Sequence, residues 1–206
     1  MLLKNLYIGL KTKPTNKLMK RLSLYLFLIL FILPTPSQAD DIRDFQIEGM
    51  SIGDSLLDYF SEEEILANKP NWFKDNEYSI ANIILENFQT YKSVQAAYKT
   101  KDKKYILEGI EGYKFYEKMD NCLKEFDEVV DEISKLSLNA VKSEKKTQKH
   151  NDPTENATIT TLKFKFDSGD SIRIGCADSP DYNPPIDLRV ILRTKEYSYF
   201  LLNKAY

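Results

Sequence analysis

The sequence predicts an α+β domain: an antiparallel sheet of about five strands covered on one face by one long amphipathic helix, with short helices where the domain begins. Three patterns predict it. Between Met119 and Val141, the apolar residues Met119, Cys122, Leu123, Phe126, Val129, Val130, Ile133, Leu136 and Ala140 recur at helical spacing, with acids and lysines filling the other side. Leu162, Phe164 and Phe166 alternate with lysines and lead through Asp167-Ser168-Gly169-Asp170 into the alternating run Ile172, Ile174, Cys176, which is a hairpin signature. Leu188, Val190 and Leu192 then repeat the two-residue period. Helix and strands joined by hairpin-length connections make a layered domain of the mixed class.

The chain opens with a segment of a different kind. Lys4, Lys11, Lys13, Lys17, Lys20 and Arg21 precede an apolar run from Leu22 to Leu33 interrupted only by Ser23. Pro34 and Pro36 end that run, and Ser37-Gln38-Ala39 follows, before the first acid, Asp40. A basic region, a short apolar core and a small-x-small exit are the parts of a cleavable secretory signal. The run is too short for the roughly 20 residues that span a bilayer, so residues 1–39 are expected to be removed and 40–206 to form one domain. Met19-Lys20-Arg21 would by itself open a compact signal. Six of the 29 Lys+Arg lie before Asp40 and none of the 31 Asp+Glu do, leaving 23 against 31, a net charge of −8. An acidic domain repels phosphate backbones, so no nucleic-acid partner is expected, and the membrane is met only through the signal.

Within the domain, Gly49–Leu57 is expected to open a short helix reaching Phe60, and Ser61 to cap a second with Glu62, Glu63 and Glu64 in its first turn. Ala67–Glu77, with Pro70, Trp72 and Phe73, is expected to fold back over the core. Val94, Ala96 and Tyr98 mark a strand, and Lys104–Tyr116 another, with Gly109 and Gly112 as bends or bulges. Asp120 is placed to cap the long helix. Lys142–Ala157 has almost no apolar content and is read as a mobile charged loop. Tyr197–Leu202 is expected to be a further strand or the tail of the preceding one. Cys122 lies on the apolar face of the helix and Cys176 on the apolar face of a strand, which places both sulfurs in one layer. An even cysteine count in an exported chain favours a Cys122–Cys176 disulfide.

Chemistry-bearing motifs are scarce. His150, the one histidine, sits in the charged loop without a group to orient it. One histidine and two paired cysteines leave no zinc ligand set, and no G-x-S-x-G, G-x-G-x-x-G or P-loop occurs. No catalytic residue, metal or cofactor is assigned. Asp167-x-x-Asp170 lacks the ligand spacing of a calcium loop and suits a turn. Asn156-Ala157-Thr158 is a glycosylation sequon, relevant only in a eukaryotic secretory route. The loop Asp178–Pro185, pinned by Cys176 and stiffened by three prolines, offers Asp178, Asp181 and Tyr182 as a candidate binding surface.

Phe45–Leu57, Tyr105–Tyr116 running into the Cys122 helix, and Ser168–Cys176 through Leu188-Arg189-Val190 to Lys195-Glu196-Tyr197 resemble, in matching order, a group of small uncharacterised exported proteins of Gram-negative bacteria. The resemblance implies a periplasmic setting and one domain, and supplies no active site. The sequence thus points to a non-catalytic binding or interaction domain of the cell envelope, with a protein, peptide or glycan as partner. The rival is a hydrolase using paired carboxylates on an envelope glycan or peptide, which requires two such acids within about 5–10 Å.

Overall fold

The computed structural model describes residues 41–206 apart from 71, 85–88, 137–138, 150–156, 182 and 184. His150, Asn156 and Tyr182 therefore lie outside the described residues, as do residues 1–39. The class is α+β, as the hydrophobic periods indicate, but the sheet is larger than five strands and three α-helices accompany it.

Eight strands, β1 (Tyr78–Ile83), β2 (Ser93–Lys99), β3 (Leu107–Tyr116), β4 (Ala140–Lys142), β5 (Lys146–Lys149), β6 (Thr158–Phe166), β7 (Ser171–Asp178) and β8 (Ile186–Arg193), form one antiparallel sheet. Their order is β1-β2-β3-β8-β7-β6-β4, with β5 also pairing the outer edge of β6. Helix α1 is Glu62–Ala67, α2 is Met119–Lys135 and α3 is Lys195–Asn203. The chain runs through the β1–β3 meander, crosses one face as α2, and returns from the far edge through β6, β7 and β8. Sheet closure thus falls at the β3–β8 pair, where Gly112 faces Val190 and Glu111 faces Ile191.

The first face is the main core. Ile110, Ile172, Ile174, Cys176, Leu188 and Leu192 project from the strands onto Cys122, Phe126, Val130 and Ile133 of α2. Ile42, Ile47, Met50, Leu56 and Ile65 of the first described segment cover the β1–β3 side of the same core. That segment is tied down by Glu48, whose carboxylate accepts from the backbone N–H of Gln89, Thr90 and Tyr91 at 2.7–2.8 Å. The Cys122–Cys176 disulfide joins α2 to β7 across a sequence separation of 54 residues, and neither cysteine is exposed to solvent. The opposite face holds a smaller aromatic core in which Tyr78, Ile80 and Ala97 meet Tyr197 and Phe200 of α3. Phe73 packs edge-on to Phe200 at 5.1 Å, which is how the Ala67–Glu77 segment folds back.

Several expectations need correction. Tyr197–Leu202 is helical, not a strand: the Thr194 hydroxyl accepts from the Tyr197 N–H, and Tyr197, Phe200 and Leu201 sit on one helical face against the sheet. The long helix ends at Lys135, and Ala140 and Val141 belong to β4. Its N-cap is Lys118, without a side-chain cap; Asp120 sits in the first turn, where a carboxylate still complements the helix dipole. Lys142–Ala157, read as a loop, contains β5 and the end of β4, an all-polar edge of the kind that discourages further pairing. Gly49–Phe60 yields only a 3-10 turn at Leu56–Asp58, because Gly49 and Gly53 take φ of 81° and 93° and interrupt any longer helix. The Ser61 cap and the 167–170 hairpin are as expected, Gly169 supplying φ 95°.

Candidate functional site

An aromatic helix covers only one end of the second sheet face. The rest of that face is an open cleft of about 1010 Å³. Its floor follows from strand alternation: the β3, β7 and β8 residues that line this cleft all lie on the side turned away from the α2 core. These are Glu111, Tyr113 and Phe115 on β3, Arg173 and Gly175 on β7, and Asp187, Arg189, Ile191 and Arg193 on β8. Register aligns them in rows: Gln95, Glu111, Ile191, Arg173 and Lys163 lie side by side across five strands, and Tyr113, Arg189, Gly175 and Thr161 form the next row.

Two of the three arginines are committed. Arg193 Nη2 donates to Glu111 Oε1, with both side chains mostly buried, 20% and 13% exposed. The Tyr113 hydroxyl donates to Glu111 Oε2 at 2.9 Å and sits 3.0 Å from the Gln95 amide oxygen. Burial alone would raise the Glu111 carboxyl, but the Arg193 charge and the bonds from Arg193 and Tyr113 outweigh it and hold it below its ordinary value. The same burial and the adjacent carboxylate push the Tyr113 phenol well above its usual value, so it remains a donor. Arg189 grips Asp187 through both Nε and Nη2 and lies over the Tyr113 ring at 5.4 Å. Arg193 lies over the Tyr197 ring at 5.8 Å.

Arg173 differs. Among the described residues no carboxylate side chain forms an ion pair with it. Burial, together with the like charges of Arg193 and Arg189, lowers its affinity for its proton, and Glu111 only partly opposes this. Lys163, its neighbour on β6, is lowered too, by burial and by Lys165, Arg173 and Arg193. The Nε of Arg193 is buried and has no hydrogen-bond partner among the described residues. A cleft with three arginines against two carboxylates, one of those arginines uncompensated, is built to receive an anion.

Apolar groups complete the walls. Ile191 separates Arg173 from Glu111 on the floor, and Ile159 and Phe115 stand at one end. Trp72, Leu201 and Tyr206 stand at the end roofed by α3. Trp72 and Phe115 remain 48% and 40% exposed, unusual for side chains of this size facing a concave surface.

The residues singled out from sequence fall around this cleft rather than in it. Asp178 ends β7 half-buried and Asp181 is exposed, while Tyr182 lies outside the described residues. Their loop borders the cleft through Ser179 and Asn183, and the Ser179 N–H donates to Pro185 O at 2.8 Å to fix it. Asp170 accepts from the Lys195 backbone N–H at 2.8 Å and from the Ser168 hydroxyl, so its carboxylate ties the hairpin to α3. Glu62 accepts from the Tyr105 hydroxyl, and Glu64 closes the capping box of α1. Among the described residues no group of three or more metal-binding side chains occurs. The cleft acids, Glu111 and Asp187, are four residues apart along the paired strands, since Asp187 faces Phe115. That is roughly 13 Å, and each is held by its own arginine.

The arginines escaped the sequence reading because alternation marked Arg173 and Arg189 as the polar side of half-buried strands. The available signal was that two strands with cations at those positions, I-R-I on one and L-R-V and L-R-T on the other, had to lie in one sheet. No protein-family model, curated protein or solved structure matches the chain.

Proposed function

We propose that this chain is an exported domain of the bacterial cell envelope that binds an organic anion, without turnover, in the cleft on the second face of its sheet. The observation that carries this reading is Arg173: a desolvated guanidinium on the cleft floor, repelled by two neighbouring arginines and lacking a carboxylate partner among the described residues. A protein tolerates such a charge where a ligand supplies the missing counter-charge. Export is supported by the basic-apolar-small pattern of residues 1–39 and by the buried Cys122–Cys176 bridge, a bond that persists in oxidising compartments. The carboxylate-hydrolase alternative gains no support from Glu111 and Asp187, whose spacing exceeds the glycosidase range and whose charges are spent on arginines.

The test is a thermal-shift screen of organic carboxylates, sulfonates and phosphates against the protein recovered after expression of the full chain, with Arg173→Met in parallel. Stabilisation of the wild type by at least one anion, absent in Arg173→Met, is the expected result. No stabilisation by any anion, or equal stabilisation of both proteins, overturns the reading.

A further inference from the structure

Resting on the anion-binding reading above, we infer that the headgroup of the anion is a phosphate monoester, held by Arg173 and Lys163 together.

The charge count points to two negative charges. Six cations stand on the second face of β5 to β8: Lys146, Lys163, Lys165, Arg173, Arg189 and Arg193. The carboxylates on this face of β8 and β3 are Asp187 and Glu111, and each is held by one arginine. Four cations are left over, none of them in an ion pair among the described residues. They share one face of a domain whose residues 40–206 carry 23 Lys+Arg against 31 Asp+Glu. The four are not equivalent. Lys146 and Lys165 are exposed, so water and salt screen them. Arg173 and Lys163 are half-buried. The charges acting most on Lys163 are Lys165, Arg173 and Arg193, all positive, and with burial they weaken its hold on its proton. Two partly desolvated cations side by side without an acid are costly, and one dianion offsets both.

Spacing and donor geometry favour a compact group. Lys163 and Arg173 are direct cross-strand partners, so their Cβ atoms lie about 5 Å apart and both long side chains rise from adjacent points of the sheet. Arg173 lines the cleft, and so does Ile159, on the same side of β6 as Lys163. A guanidinium is a planar fork that takes two oxygens, and an ammonium is a point charge that takes one. A carboxylate has two oxygens, and the fork uses both. A phosphate monoester has three terminal oxygens and approaches two negative charges near neutral pH, while its ester oxygen leads to the organic part. A sulfate monoester has the same shape with one charge fewer. A dicarboxylate has the charge but divides it between separate groups. Lys146 and Lys165, flanking the pair along the outer strands, attract an incoming anion in a way that salt weakens.

The experiment is calorimetric titration of the protein recovered after expression of the full chain, just above neutral pH, where the ester is a dianion. Its probes are methyl phosphate, methyl sulfate and succinate, against wild type, Lys163→Met, Lys163→Arg, Arg173→Met and the distant surface variant Lys124→Ala. We expect one-to-one binding of methyl phosphate, with methyl sulfate and succinate at least about tenfold weaker. Lys163→Met should bind methyl phosphate roughly tenfold more weakly and no longer prefer it to methyl sulfate, whereas Lys163→Arg should keep the preference. Arg173→Met should lose both esters, and Lys124→Ala should match wild type. Flotation with phosphatidylcholine vesicles, with and without phosphatidate, identifies the bearer of the ester. No capture is expected for a soluble ester in a concave site; capture that requires phosphatidate and is lost in Lys163→Met assigns the same headgroup to a lipid. Methyl sulfate or succinate binding as tightly as methyl phosphate, or an unchanged preference for the phosphate in Lys163→Met, overturns the phosphate headgroup and leaves anion binding at Arg173 standing. Silence from all three probes, when the thermal-shift screen has found another anion that Arg173→Met loses, has the same meaning. Full phosphate affinity in Arg173→Met overturns both readings, and silence here together with a blank screen removes the anion-binding reading itself.

Discussion

Replacing Arg173 with methionine should make the ligand-free protein more stable, and replacing Arg193 with methionine should make it less stable. The two residues are chemically identical, share one sheet face, and stand on neighbouring strands. They differ in compensation. Arg193 holds Glu111, so its removal strands a mostly buried carboxylate, a change that costs about 3–5 kcal/mol. Arg173 has no such partner among the described residues and feels Arg189 and Arg193 as repulsion. Methionine keeps most of the stem that packs on the floor while removing the charge, so the gain should be about 1–2 kcal/mol, at the low end of what replacing buried charge by hydrocarbon yields. For a domain of this size each kcal/mol moves the midpoint by about 2–4 °C. Scanning calorimetry should therefore show Arg173→Met melting roughly 2–8 °C above wild type and Arg193→Met roughly 6–20 °C below it. A fall in both, by similar amounts, would refute the reasoning, because it would mean that Arg173 is a structural residue. A stabilising substitution that abolishes binding is the usual mark of a functional site.

Three further expectations follow from the fold. Reducing the Cys122–Cys176 bridge, or replacing both cysteines with serine, should cost about 4 kcal/mol in the chain-entropy account of a loop this long; equal urea midpoints with and without reductant would contradict it. Gly109→Ala places a Cβ 2.5 Å from the Tyr197 ring and should cost about 1–3 kcal/mol by pushing α3 off the sheet, with near-ultraviolet dichroism of the Tyr78–Tyr197–Phe200 cluster as readout and an unchanged spectrum as the contrary result. Glu111 has a folded-state pKa below its unfolded value, so its stabilisation is complete above the ordinary glutamate range and is lost as pH falls through the lower folded value. Urea titrations from pH 7 to 2 should accordingly show Glu111→Gln to be less stable than wild type at pH 7, with the gap closing in acid; a gap that widens in acid would reverse the sign.

Much of the fold is legible in the residues, and its failures have definite causes. Strands with one covered face, β6, β7 and the inner side of β8, announce themselves by alternation, and the two cysteines could be paired because each fell on an apolar face. Strand β1 was missed because both of its sides are buried, Ala81 and Ile83 in the main core and Tyr78 and Ile80 in the aromatic one, which removes the alternation. Strand β5 was missed for the opposite reason: Lys146, Thr147, Gln148 and Lys149 are all exposed, and only pairing with Thr158–Thr161 orders them. Tyr197–Leu202 carries strand-forming aromatics, and a single capping hydroxyl at Thr194 with sheet packing overrides that propensity. The cleft was invisible because it is a property of strand order. Arg173, Arg189 and Arg193 come together through the β7–β8 pairing, and Glu111 and Tyr113 join them only because β8 also pairs with β3, a long-range neighbour that no local pattern encodes.

The central claim, that Arg173 is the receptor for an anionic ligand, is tested most directly by following the arginine side-chain Nε–H resonances of the labelled protein as the most stabilising anion of the thermal-shift screen is added. The account predicts a large, saturable shift of the Arg173 signal, smaller shifts of Arg189 and Arg193, and none of these for an uncharged analogue of the same compound. Arginine signals that stay fixed while resonances of the α2 surface move would place any bound ligand elsewhere and contradict it.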